Sequence, residues 1–206
     1  YESPISGEED RLQLIGVTGT NGKTTTSTLL ADILCLADGD AGLIGTIETR
    51  GGGVIRASEM TTMESSDLHR HYRDLLRAGV KRCVMEVSSI GIEEERVAAS
   101  RYSRAAFLNL SEDHLDYHGD MERYAEAKLR LFSELLTPDA LCVICVEGQS
   151  TSAELISKIN EACARRGITI WRYSQESEAL STGIEVGWQE LELSTQGIKG
   201  IVRTPY

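Results

Sequence analysis

The run Thr18-Gly19-Thr20-Asn21-Gly22-Lys23-Thr24-Thr25-Thr26 follows an apolar segment, 12–17, and opens a helical pattern. Glycines in such a turn let backbone N–H groups converge on an anion, and the helix start adds the positive end of its dipole. A lysine at the turn supplies a cation and the next hydroxyl a hard oxygen ligand. That combination suits a phosphate chain carried with Mg²⁺. Gly19, Thr20, Asn21, Gly22, Lys23, Thr24 and Thr25 form the cradle, Lys23 reaches the β and γ phosphates, and Thr24 ligates the ion. The pattern departs from G-x-x-x-x-G-K-[ST] because Val17 holds the first glycine position.

Three further residue types fit the same chemistry. Glu86 stands near the C-terminal end of the apolar run Cys83-Val84-Met85-Glu86-Val87, the edge where open α/β sheets bind ligands. A buried carboxylate there needs a partner, and a phosphate-bound Mg²⁺ is one; a solvent-facing glutamate is the simpler alternative. His114 and His118 lie four apart, a metal-pair spacing on a helix, but the dense polar residues and Gly119 read as a loop. One of these histidines then assists the magnesium site and the other holds the loop by hydrogen bonds. Lys128 falls on or beside the apolar stripe Met121, Tyr124, Ala125, Leu129, Phe132 and Leu135. Either its ammonium snorkels to water past its own stem, or it is desolvated. Desolvation lowers a lysine pKa and makes the amine nucleophilic towards CO₂.

The elements needed to position these groups are legible as alternation. Short apolar runs at 12–17, 43–47, 83–87, 105–110, 141–146 and 168–171 read as strands buried on both faces, and 23–37, 66–78, 121–136 and 152–166 as helices. Gly79 and Gly167 sit where helix C-terminal caps are expected. Ile184, Val186, Trp188, Leu191 and Leu193 alternate with polar neighbours, then Thr195-Gln196-Gly197 turns into 198–202. The expected fold is α/β: a phosphate-loop-containing, mostly parallel sheet flanked by helices, with an antiparallel hairpin near the C-terminus appended to that sheet. One domain is expected.

Composition narrows the function. Among 206 residues, Lys plus Arg number 21 and Asp plus Glu 32, a net charge of −11, which argues against a general nucleic-acid binder. The apolar runs are too short to cross a bilayer, so no membrane association is expected. Cys35, Cys83, Cys142, Cys145 and Cys163 are odd in number and scattered, as reduced thiols in the cytoplasm would be. Cys142 and Cys145 form C-x-x-C inside a strand-like run, where residues three apart face opposite ways and cannot share a metal. The chain starts at Tyr1 and stops at 204–206 without an evident terminal element, so it is expected to be a piece of a longer protein.

Taken together, VTGTNGKTTT (17–26), GLIGTIETR (42–50), EMTT (59–62), MEVSS (85–89) and NLSEDHLDYHGDMERYAEAK (109–128) resemble the Mur ligases, the ATP-dependent amide-forming enzymes of peptidoglycan synthesis. The resemblance is strongest to the branch that adds the third amino acid to UDP-N-acetylmuramoyl-L-alanyl-D-glutamate. It implies that residues 19–25 hold the ATP phosphates, that Glu86 ligates one magnesium and His114 a second, and that Lys128 is carbamylated. Lys23, His114 and Lys128 are then the catalytic group, while Thr61, Thr62, Ser88 and Arg96, with Glu59 beside them, contact the UDP-muramoyl-dipeptide. It also implies that 1–206 is the central ATP-binding domain of three, in a full-length form expected to be a monomer.

Departures from the family pattern are Met63 for a proline, Ile90 for a histidine, Glu94 for a glutamine, and Ile144-Cys145-Val146-Glu147-Gly148 where I-N-x-D-D is typical. The last removes an asparagine associated with adenine. The resemblance implies transfer of the ATP γ-phosphoryl group to the substrate carboxylate, giving an acyl-phosphate that an amino acid then attacks. A nucleotide-binding module without turnover of its own is the competing expectation, and a folylpolyglutamate synthetase-like ligase a third.

Overall fold

The structure, a computed structural model, describes residues 12–146, 153–173, 185–194 and 197–204. Along the chain lie β1 (Gln13–Thr18), α1 (Lys23–Asp38), β2 (Gly42–Ile44), β3 (Glu48–Gly51), β4 (Val54–Ala57), α2 (Ser65–Arg77), β5 (Arg82–Glu86) and α3 (Ser89–Glu93). They are followed by β6 (Tyr102–Phe107), α4 (Leu115–His118), α5 (Met121–Ser133), β7 (Leu136–Cys145), α6 (Ala153–Arg165), β8 (Thr169–Tyr173), β9 (Gly187–Ser194) and β10 (Gly197–Arg203). Eight strands form one sheet in the order β4-β3-β2-β5-β1-β6-β7-β8. The six from β2 to β8 are parallel to their neighbours, and β3 and β4 add an antiparallel edge.

Alternation along β5 divides the core. Val84 packs with Val17, Ala31, Leu34, Leu43 and Leu108 under α1, whereas Cys83 and Met85 join the larger cluster of Leu68, Tyr72, Leu75, Ile92, Leu131 and Phe132 from α2, α3 and α5. The chain leaves β1 towards one edge of the sheet and leaves β5 towards the other. The C-terminal ends of β1 and β5 therefore open a crevice at the switch point, with Val17 level with Glu86 in register.

Several expectations need correction. The run 43–47 is not one strand: β2 ends at Ile44, and a β3–β4 hairpin follows. All four residues of β4 are exposed, so no apolar pattern marked it. Strand β6 begins at Tyr102 and ends at Phe107, ahead of the expected 105–110. Helix α5 stops at Ser133, and β7 starts at Leu136 instead of 141. Gly79 and Gly167 do end their helices in the left-handed region, at φ 84 and 67. The C-terminal hairpin is antiparallel as expected, but it forms a separate two-stranded sheet, linked to the main sheet by one parallel bridge between Tyr173 and Val186. Ile184, Thr195 and Gln196 lie outside the described residues, as do Glu147 and Gly148 of the adenine-side motif. Cys142 meets Cys163 of α6 with the sulfurs 3.9 Å apart, while Cys145 sits beside Tyr173.

Candidate active site

The phosphate loop is built between two strand ends. A Cβ at Gly19 would stand 3.0 Å from the Cβ of Leu108 and 3.3 Å from Asn109 N, so a bare backbone is needed where the loop crosses the end of β6. Asn109 clamps the loop: its Oδ1 accepts from Thr20 N at 3.1 Å and Asn21 N at 2.9 Å, and its Nδ2 donates to Asn21 O at 3.1 Å. Thr20 Oγ1 accepts from Ser111 N at 2.9 Å and lies 3.1 Å from the Tyr124 hydroxyl. Gly22 caps α1 at φ 84, and the first intrahelical bond runs from Thr26 N to Gly22 O at 2.9 Å. The amides of 22–25 precede that bond and face the crevice end of the helix, as an anion cradle requires. Lys23 Nζ donates to Gly19 O and Thr20 O, both at 2.9 Å, so it already lies across the loop. Burial lowers its pKa, partly opposed by the charges of Glu86 and Asp113.

Glu86 is fully buried at the end of β5. Its Oε2 accepts from Thr24 Oγ1 and Thr46 Oγ1, both at 3.0 Å, and its Oε1 from Thr46 N at 2.8 Å. The solvent-facing alternative is therefore excluded. The pair fits an octahedral Mg²⁺: adjacent oxygen ligands of an ion with bonds of about 2.0–2.1 Å stand about 2.9 Å apart. Thr24 and Glu86 present oxygens 3.0 Å apart. A hydroxyl can also ligate through a lone pair while its proton stays on the carboxylate. Among the described residues no group of three or more His, Cys, Asp or Glu could by itself hold a metal.

Lys128 does not snorkel. It is 1% exposed, and its Nζ donates to Gly19 O at 3.0 Å and stands 4.4 Å from the centre of the Tyr124 ring. Burial, with added repulsion from Lys23 and some relief from Asp113, lowers its pKa to about 7. Neutral amine is thus abundant at neutral pH, next to the phosphate loop. The segment read as a loop contains a helical turn: His114, at φ 52, precedes α4. The two imidazoles flank the Tyr124 ring, with centroids 6.3 and 5.2 Å from it, but have different polar partners. His118 is buried with Nε2 3.0 Å from Ser89 Oγ, whereas His114 is half exposed, 3.4 Å from Asp113 Oδ2.

On the other side of Glu86 lies a hydroxyl cluster. Thr62 Oγ1 is 2.9 Å from Ser88 Oγ and accepts from Ser88 N at 3.1 Å, and Ser88 Oγ caps α3 by accepting from Gly91 N. Thr61 Oγ1 lies 3.1 Å from Thr46 Oγ1. Arg96 donates to Thr62 O at 3.0 Å and pairs with Glu64 and Glu94. Glu59 is exposed and lines a separate cleft of about 350 Å³ between β4 and α2, with Arg56, Met63 and Arg70. Thr61, Thr62, Ser88 and Arg96 thus join the Glu86 crevice, and Glu59 does not. Sequence reasoning gave no separate role to Thr46, Asn109 or Tyr124. Thr46 carries one readable signal, a hydroxyl placed directly after Gly45 at a strand end.

Crevice, cradle and buried acid define a phosphate-loop α/β domain. More narrowly, the Mur ligase middle domain profile matches residues 17–205, and the chain belongs to the Mur ligase family. It is 38% identical over 206 residues to the UDP-N-acetylmuramoyl-L-alanyl-D-glutamate–2,6-diaminopimelate ligase of Geobacter sulfurreducens, covering all of this chain and 38% of that protein. With the ligase of that name from Listeria monocytogenes it shares 48% over 135 residues, 66% of this chain and 27% of the relative. A solved structure of a ligase of that name superposes with a TM-score of 0.79 at 30% identity, over 94% of this chain and 37% of that one. The ADP complex of a Thermotoga maritima MurF ligase shares the fold at a TM-score of 0.60 and 16% identity. The chain spans about 38% of the length of the first of these curated relatives.

Proposed function

We propose that residues 1–206 are the central, ATP-binding domain of a ligase that joins an amino acid to UDP-N-acetylmuramoyl-L-alanyl-D-glutamate. The observation that carries this reading is the convergence of Glu86 and Lys128, from two remote segments, on the phosphate loop that holds Lys23, in a chain whose relatives bear that ligase's name. The amides of 22–25 and Lys23 bind the ATP phosphates, and Thr24 and Glu86 fix the position of the cation. Bound there, Mg²⁺ offsets the charge of two anions brought together. In the reaction the substrate carboxylate oxygen bonds to the γ-phosphorus as the bond to ADP breaks. The amine nitrogen then bonds to the acyl carbon, phosphate departs, and the amine loses a proton.

Lys128 would serve as its carbamate. The neutral amine adds to CO₂, an N–C bond forms, and one proton passes to solvent, which turns a costly buried cation into an anion facing the cation site. His114, half exposed at the rim, is the residue left to meet a second ion. Thr61, Thr62, Ser88 and Arg96 orient the dipeptide carboxylate end. Diaminopimelate, the amino acid in the relatives' names, is the first to test.

The test supplies the full-length protein with Mg·ATP, the UDP-muramoyl-dipeptide and either diaminopimelate or lysine, and measures ADP and amide by chromatography. One ADP per amide, with neither formed when the UDP-dipeptide is omitted, is expected. ADP release independent of the UDP-dipeptide, or no amide with any amino acid, would overturn the reading.

A further inference from the structure

One side chain joins the end of β2 to the loop before α2. Gly45 and Thr46 follow β2 directly, and Gly45 N donates to Glu48 O at 3.1 Å, which closes the turn between β2 and β3. A Cβ at Gly45 would stand 2.7 Å from Glu86 Oε1, so the missing side chain is what lets the carboxylate come this close. Thr46 then grips both carboxylate oxygens, through its amide at 2.8 Å and its hydroxyl at 3.0 Å. A hydroxyl has one proton and an ionised carboxylate only accepts. The one Thr46 proton is therefore shared between Glu86 Oε2 and the Thr61 hydroxyl 3.1 Å away, which both lie in its donor directions.

We propose that Thr46 is a positioning residue: it aims Glu86 at the cation that accompanies the nucleotide and ties the paired threonines of the acceptor side to the same carboxylate. This rests on the ligase reading above and goes beyond it, by linking the two halves of the crevice through a residue that touches neither phosphate nor, by itself, the cation. Without the Thr46 hydroxyl, Oε2 keeps Thr24 alone, whose oxygen must also serve the cation. The carboxylate then gains freedom to rotate, and Thr61 loses its anchor. Partners that orient a metal ligand typically matter by about 10–100-fold in metal affinity.

The experiment uses the full-length protein with ADP, so that no turnover occurs, and Mn²⁺ in place of Mg²⁺, followed by electron paramagnetic resonance. Thr46→Val is expected to raise the Mn²⁺ Kd about 10–100-fold and Thr46→Ser to stay within about threefold of wild type. In the ligation assay at saturating metal, Thr46→Val should raise KM for the UDP-dipeptide more than KM for ATP. Gly45→Ala, which keeps the hydroxyl but pushes the carboxylate away, should also weaken Mn²⁺ binding, and covers the case in which Thr46→Val fails to fold. A folded Thr46→Val protein with wild-type Mn²⁺ affinity, or a Thr46→Ser protein as weak as Thr46→Val, overturns the proposal. Failure of the wild-type protein to bind Mn²⁺ with ADP overturns instead the nucleotide reading beneath it.

Discussion

Lys128 is held where an ammonium is costly: 1% exposed, with one carbonyl partner, one aromatic face and the positive Lys23 nearby. Its pKa falls from 10.5 to about 7 in the folded protein. Between those values the unfolded chain binds a proton that the folded one does not, so stability climbs as pH rises through that window. Below about pH 7 both states are protonated and the penalty for the buried charge is fully felt. Lys128→Met removes the charge and keeps the length. In CO₂-free buffer its melting temperature relative to wild type should be higher at pH 6 than at pH 9.5 by the equivalent of about 2–3 kcal/mol, roughly 4–12 °C by scanning calorimetry. An equal effect at both pH values would show that the amine is not desolvated. The sequence flagged this residue because its position conflicts with a polar face. It left snorkelling and burial undecided, since the deciding partners, Gly19 O and the packing of Tyr124 against Thr20, belong to a segment about a hundred residues away.

At the scale of elements, the phosphate loop depends on the end of β6 as much as on its own glycines. Asn109 makes three hydrogen bonds to Thr20 and Asn21, and each is worth about 0.5–1.5 kcal/mol net. Asn109→Ala should cost about 1–3 kcal/mol in urea unfolding and weaken nucleotide binding roughly tenfold. Unchanged nucleotide affinity would mean that the clamp does not shape the cradle. The strands of the parallel sheet were legible because burial on both faces leaves continuous apolar runs, as in Cys83-Val84-Met85. The β3–β4 edge was not, because its pairing of Glu48 with Ala57 and Arg50 with Ile55 leaves β4 wholly exposed. Thr46 was hidden for a related reason: its role depends on β2 stopping at Ile44, whereas the apolar pattern continued to Ile47.

For the whole molecule, the question is how a chain of net charge −11 would gather polyanionic substrates. The field that matters is local: loop amides, the start of α1, Lys23 and the Thr24–Glu86 oxygen pair lie together where β1 and β5 end, at the switch point of the sheet. Among the described side chains Glu86 is the buried acid, and the other acids are exposed or half-buried, where salt screens them. On this account nucleotide affinity depends on Lys23 and on a divalent ion, and not on overall charge. Titration calorimetry of the full-length protein with ATP, with and without Mg²⁺, tests this most directly. Wild type should bind one Mg·ATP, and Lys23→Met should weaken that binding roughly 10–100-fold without lowering the melting temperature. A Lys23→Met protein that binds Mg·ATP as tightly as wild type, or binding indifferent to Mg²⁺, would contradict it.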